Sequence, residues 1–192
     1  MNYYYGNPYP PYRHPTVPMY THLQTIYPVY QPGYVGDWRY EQNINVSYPR
    51  INDHGKEPYV VNINQAAKAN TNFRTALWTG KHLQVTLMNI KPGDDVGLEV
   101  HHDVDQFLRI EEGVGLVQMG KRKNQLTFEK RVNKNDAIMV PAGTWHNITN
   151  TGHHPLKLYS IYAPPEHPFG TVHQTKTEAL AAEGGHGHHY RE

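Results

Sequence analysis

Glu99, His101, Gln106 and His146 are the residues of this chain whose types and spacing could do chemistry. Alternate residues of a strand share a face. Glu99 and His101 therefore project together while Val100 points away. On the next strand Gln106, Leu108 and Ile110 share a face. His146 opens a further strand after the turn Pro141-Ala142-Gly143. If the sheet closes into a barrel, His146 comes opposite Glu99 and His101, and four polar side chains meet in an apolar interior. Buried polar groups need partners, and one divalent cation is the simplest partner common to all four. Nitrogen and oxygen donors without thiolate suit Mn, Fe, Co, Ni, Cu or Zn. Four protein ligands at most leave positions open on a six-coordinate ion, the condition for metal-ion catalysis. Gln106 is a neutral, weaker donor that could instead hold a water on the metal, so Glu99, His101 and His146 rank above it. Glu99 is also the candidate catalytic group, acting as a base if it is not tightly ligated. The alternative is a barrel without metal, its four groups hydrogen-bonded to one another and to water.

Such a site must be positioned by many short strands. β-type runs are expected at 73–79, 83–90, 96–101, 105–112, 114–120, 126–132, 136–140, 145–150 and 156–163. Between them stand turn signals such as Pro92-Gly93-Asp94, Gly113, Lys134-Asn135 and Thr151-Gly152. This punctuation points to a sandwich or barrel. Tyr59-Val60-Val61 reads as an earlier strand, and Asn64 as the cap of a short helix through Gln65 to Lys68. After Pro164-Pro165 the strand signal fades. Lys176 to Glu183 reads as a short helix ended by Gly184 and Gly185. No internal repeat is visible, so one barrel is expected.

Composition narrows the function. With no Cys, disulfides, thiolate metal sites and cysteine nucleophiles are excluded. A net charge of +1 gives no electrostatic case for nucleic acid. No apolar run approaches the roughly 20 residues of a membrane span, and no secretory signal pattern opens the chain. Synthesis in the cytoplasm is the expectation. Of the 15 tyrosines, 11 lie between Tyr3 and Tyr48, where aliphatic residues are few and show no period. The chain thus divides into a Tyr/Pro-rich tail at 1–56, expected to be disordered, a folded domain at 57–170, and a short helix with a His-rich tail at 171–192.

The segments Gly93 to Gly113 and Asn135 to Asn150 resemble the two motifs of the cupin superfamily. The first motif is Gly, five residues, His-x-His, three or four residues, Glu, six residues, Gly. Here the spacing holds, with Glu99 in place of the first His and Gln106 in place of the Glu. The second is Gly, five residues, Pro-x-Gly, two residues, His, three residues, Asn. Only its leading Gly differs, and Asn135, which stands there, is among the few residues that visit the left-handed region. The family's set of three His and one Glu becomes two His, one Glu and one Gln, with the same formal charge. The stretch Asn70 to His173 looks like bacterial mannose-6-phosphate isomerase-like cupins. The resemblance implies an all-β double-stranded β-helix, or jelly-roll barrel, with short flanking helices. It also implies one divalent transition metal, a homodimer, and a small polar substrate such as a sugar or carbonyl compound. Isomerase, lyase and oxygenase chemistry all remain open, as does a non-catalytic ligand-binding role. The Tyr/Pro-rich tail resembles those of spore-coat and surface-layer proteins. That likeness suggests coat proteins as partners, the coat as a destination, and a structural or assembly role in which the barrel is a rigid module.

Other residues are secondary. His102 faces away from the site by alternation. Asp103 and Asp105 could orient His101 or belong to a solvated turn. Tyr159 and Tyr162 face opposite ways, so only one can point inward. Arg74, Trp78, Lys81 and His82 could line a pocket, with their facing unassigned.

Overall fold

The computed structural model describes residues 51–185. Residues 1–50 of the Tyr/Pro-rich segment and 186–192 of the His-rich end, on which the assembly and tail expectations rest, lie outside the described residues. Residues 51–56, expected to belong to the disordered tail, are described, with the His54 N–H donating to Leu77 O at 2.9 Å. The elements run α1 (Ile63–Ala69), β1 (Arg74–Thr79), β2 (Gln84–Ile90), β3 (Asp105–Glu112), β4 (Val114–Gly120), β5 (Phe128–Asn133), β6 (Ala137–Val140), β7 (Trp145–Asn150), β8 (Leu156–Ala163), β9 (Val172–His173) and α2 (Lys176–Gly185). One sheet has six strands in the order β6-β3-β8-β2-β1-β9, the other three in the order β5-β4-β7. All recorded strand pairs are antiparallel. This is the expected all-β double-stranded β-helix with two short helices.

Cross-strand register divides the interior into levels. Met88 pairs with Leu158 and Leu158 with Ile110, giving an apolar row. One level along, Thr86 pairs with Ser160 and Ser160 with Leu108; the next row is Gln84, Tyr162 and Gln106. The inward face therefore changes from apolar to polar along the same three strands. Phe73, Ile90, Val117, Ile148 and Leu156 complete the apolar end. On the outer face of the large sheet, Leu77 and Leu87 pack under Ala66 and Ala67 of α1.

Several local expectations change. The N-cap of α1 is Asn62, whose side chain accepts from the backbone N–H of Gln65 at 3.1 Å, rather than Asn64. The Asn64 amide instead donates to the buried Glu111 carboxylate. Tyr59 to Val61 forms no strand: Tyr59 and Val61 pack against the α1 cluster while Val60 is exposed. The weak pattern after Pro165 hides a loop and β9, whose Val172 and His173 pair with Thr75 and Arg74. That loop is tied down by Gln84, whose amide donates to the His167 carbonyl at 2.8 Å and accepts from the His167 N–H at 2.9 Å. Asp53 adds a second tie, accepting from Thr79 and from the Gly170 N–H.

The segment 96–101, expected as a strand, is an interrupted one. Val96 N–H donates to Ile148 O at 3.1 Å, and Glu99 and His146 exchange backbone bonds at 3.1 and 2.9 Å. Three steps along this segment thus match two along β7, so one residue is bulged out. Gly97 provides it, with φ of 94°, and the Asp95 carboxylate captures the Gly97 N–H at 2.7 Å. The bulge changes the facing. Strict alternation from buried Val96 would turn Leu98 and Val100 inward; the extra residue turns Glu99 and His101 inward instead, and Leu98 stays 38% exposed.

Candidate metal centre

Glu99, His101 and His146 each offer one ligand atom, and these atoms lie within 4.8 Å of one another. The bulged segment supplies Glu99 and His101, and β7 supplies His146 from directly across the Glu99–His146 bridge. Glu99 Oε1 stands 3.2 Å from His146 Nε2 and 3.5 Å from His101 Nε2. The other ring nitrogens are held from behind. His146 Nδ1 is 3.0 Å from the Thr144 carbonyl, and His101 Nδ1 is 3.0 Å from Glu166 Oε1. A carbonyl can only accept, so Nδ1 of His146 carries the proton and Nε2 keeps its lone pair. When neutral, His101 takes the same tautomer against the Glu166 carboxylate. Both Nε2 atoms are buried without a hydrogen-bond partner. Two imidazole lone pairs and a carboxylate oxygen aimed at one point form a donor set that fits a divalent transition ion.

Gln106 sits on the facing wall. Its amide donates to Ser160 Oγ at 3.0 Å, and its Oε1 is buried without a partner. From the sequence, Asp103 and Asp105 are either supports for His101 or residues of a solvated turn. Asp105 instead accepts from the Ala142 N–H at 2.9 Å, and Asp103 is exposed, as is His102. The supporting residue is Glu166, placed by the clamped loop after β8; no local pattern marks it. Tyr162 is the inward tyrosine, its ring perpendicular to His101 at 5.6 Å, while Tyr159 packs with the α1 cluster. Arg74 also turns inward, opposite Met88, and its guanidinium lies 3.7 Å from Glu99 Oε2.

A family model described as a cupin domain matches residues 86–162. The chain is also 55% identical over 185 residues to the uncharacterized protein YrkC of Bacillus subtilis (strain 168), spanning 93% of this chain and 99% of that one. The chain belongs to the cupin family. This cupin is 39% identical over 115 residues to an uncharacterized protein of Acanthamoeba polyphaga mimivirus, 59% of this chain and 70% of the relative. Among solved structures it is similar to BH2720 of Bacillus halodurans, with 62% identity, a TM-score of 0.68, and coverage of 68% of this chain and 99% of that one.

The electrostatics of the cupin site are set by pairing. Burial pushes the Glu99 carboxyl up, but the adjacent His101 and His146 rings and the Arg74 charge outweigh it and hold the group well below the usual carboxylate range. Burial alone would lower His101, yet Glu166 and Glu99 together raise it to about 9 without metal. The Tyr162 phenol is pushed up to about 12, chiefly by burial. Burial, aided by the Arg74 charge, depresses His167 to about 3, so its ring is neutral.

Proposed function

We propose that this cupin binds one divalent transition metal through Glu99, His101 and His146, with Gln106 facing them, and acts there on a small polar molecule. A sugar or other carbonyl-containing compound is the substrate class the site suits. The observation that carries this reading is the pair of anchored imidazoles, whose Nδ1 partners turn both Nε2 atoms toward Glu99 Oε1. Contacts among the three groups do not satisfy that arrangement, because Glu99 Oε1 stands 3.2 and 3.5 Å from the two Nε2 atoms and neither makes a well-formed hydrogen bond.

The metal would supply Lewis acidity toward a carbonyl or an enolate-like oxygen, which isomerase or lyase chemistry can use. Glu99, held ionised by its neighbours, is a weak base and is better used as a ligand than as a proton acceptor. Glu166 and the Thr144 carbonyl orient the rings. Tyr162 stays protonated and can donate, and His167 stays neutral beside it at 5.0 Å.

Elemental analysis tests the reading. Protein purified without added metal should carry near one equivalent of a transition metal, and His101→Ala/His146→Ala should carry none. No uptake by the native protein after reconstitution would overturn it. Retention by the double variant would place the metal elsewhere.

A further inference from the structure

The support of the metal centre extends to the C-terminal helix. α2 starts on a closed cap: Thr175 Oγ1 accepts from the Glu178 N–H at 3.3 Å, and the Glu178 carboxylate accepts from the Gln174 N–H at 2.7 Å. Its Ala179 is 2% exposed in the core cluster, and its Leu180 side chain approaches Gly97, 3.5 Å from where a Cβ on that glycine would stand. The first residue of the helix reaches the bulge directly. Lys176 Nζ donates to Asp94 Oδ1 at 2.9 Å and to Asp95 Oδ1 at 2.6 Å. Each of those oxygens also holds a backbone N–H of the turn. Asp94 Oδ1 accepts from the Asp95 N–H at 2.8 Å, and Asp95 Oδ1 from the Gly97 N–H at 2.7 Å. One ammonium thus ties two adjacent carboxylates, and through them the backbone that leads into Glu99 and His101.

We propose that Lys176 is a positioning residue for the metal centre, and that α2 docking and metal occupancy stabilise each other. The proposal rests on the metal reading above and concerns the control of that site. Segment 96–101 has two registers open to it against β7. Without the bulge Leu98 and Val100 turn inward, which apolar burial favours. With it Glu99 and His101 turn inward, and buried polar groups need a partner. Two interactions favour the bulged register. One is the ion, which needs both ligands on the inside. The other is the Lys176 network on the outside, built on the carboxylate that holds the bulged Gly97 N–H. Two interactions that select the same state of one element strengthen each other by equal factors. Without Lys176, the carboxylates of residues 94 and 95 stand side by side without the ammonium that bridges them, and the turn loosens.

The test is Co²⁺ affinity, by competition with a chelator, and amide hydrogen exchange with and without Co²⁺. Both are measured on the full native chain and on Lys176→Met, Lys176→Arg and Leu108→Ala. Lys176→Met should bind Co²⁺ about 10-fold more weakly, and Lys176→Arg should recover most of that loss. Leu108→Ala changes only core packing and should keep native affinity in its folded fraction. In the native chain Co²⁺ should slow exchange across 177–182 severalfold, and in Lys176→Met this response should vanish. Native Co²⁺ affinity in Lys176→Met, an equal loss in Leu108→Ala, or exchange of native α2 indifferent to Co²⁺ would each overturn the proposal. A native chain that takes up no Co²⁺ defeats the metal reading instead. The positioning role is then judged in the metal-free protein, where Lys176→Met should quicken exchange of the Gly97 and Glu99 amides, and an unchanged rate overturns it.

Discussion

Raising the pH on the metal-free protein should weaken it, and His101 is the reason. Its imidazole is 8% exposed, lies 3.0 Å from Glu166 and 3.5 Å from Glu99, and has its pKa raised from 6.5 to about 9. The folded state therefore keeps a proton that the unfolded chain releases. The stabilisation is complete below the unfolded pKa and is lost as pH rises through the folded one. At about 1.4 kcal/mol per unit, this shift is worth roughly 3 kcal/mol in acid, of which about 2 kcal/mol disappears between about pH 7 and about pH 9. Metal uptake should run the other way. The ion needs the neutral ring, so affinity should rise by up to about tenfold per pH unit over that interval. The assay is urea unfolding in chelator across the pH range, for the native chain and Glu166→Gln, beside metal titrations of both. Glu166→Gln should flatten the pH slope and weaken metal binding by about 10-fold or more. A flat native profile, or a variant profile that superimposes on the native one, would refute the claim that Glu166 holds the ring.

Three further outcomes are expected. Gly97→Val forces a β-branched residue into φ of 94° and should cost at least about 1–2 kcal/mol; by disturbing the bulge it should also lower metal stoichiometry, read by melting and elemental analysis. Leu108→Ala, at a site 1% exposed in the apolar core cluster, should cost about 2–5 kcal/mol in urea unfolding while the folded fraction still takes up metal. Gln84→Ala removes both bonds to the His167 backbone and should loosen the loop bearing Glu166. Metal affinity should fall although no ligand is touched, and proteolysis in the loop should quicken.

Much of the fold was legible because it is written locally. Strand lengths follow turn residues, and inward facing follows a period of two, so Gln106, Leu108 and Ile110 lie on one buried face as expected. Asn135 shows the same kind of legibility. It takes the position of the motif's glycine, and its φ of 77° is the left-handed conformation that glycine would supply. The convergence of Glu99, His101 and His146 also follows from spacing, once a closed double sheet is assumed. What the sequence could not settle depends on contacts distant along the chain. Glu166 reaches His101 because Gln84 clamps the loop after β8, and Arg74 reaches Glu99 from the inward face of β1. The bulge at Gly97 belongs to this second class. Apolar Val96, Leu98 and Val100 alternate as an inward-facing set would, and only pairing against β7 shows where the extra residue goes. Period and turn chemistry are properties of neighbours in sequence. The orientation of a buried ring and the charge around it are set by whichever side chains the closed barrel brings together.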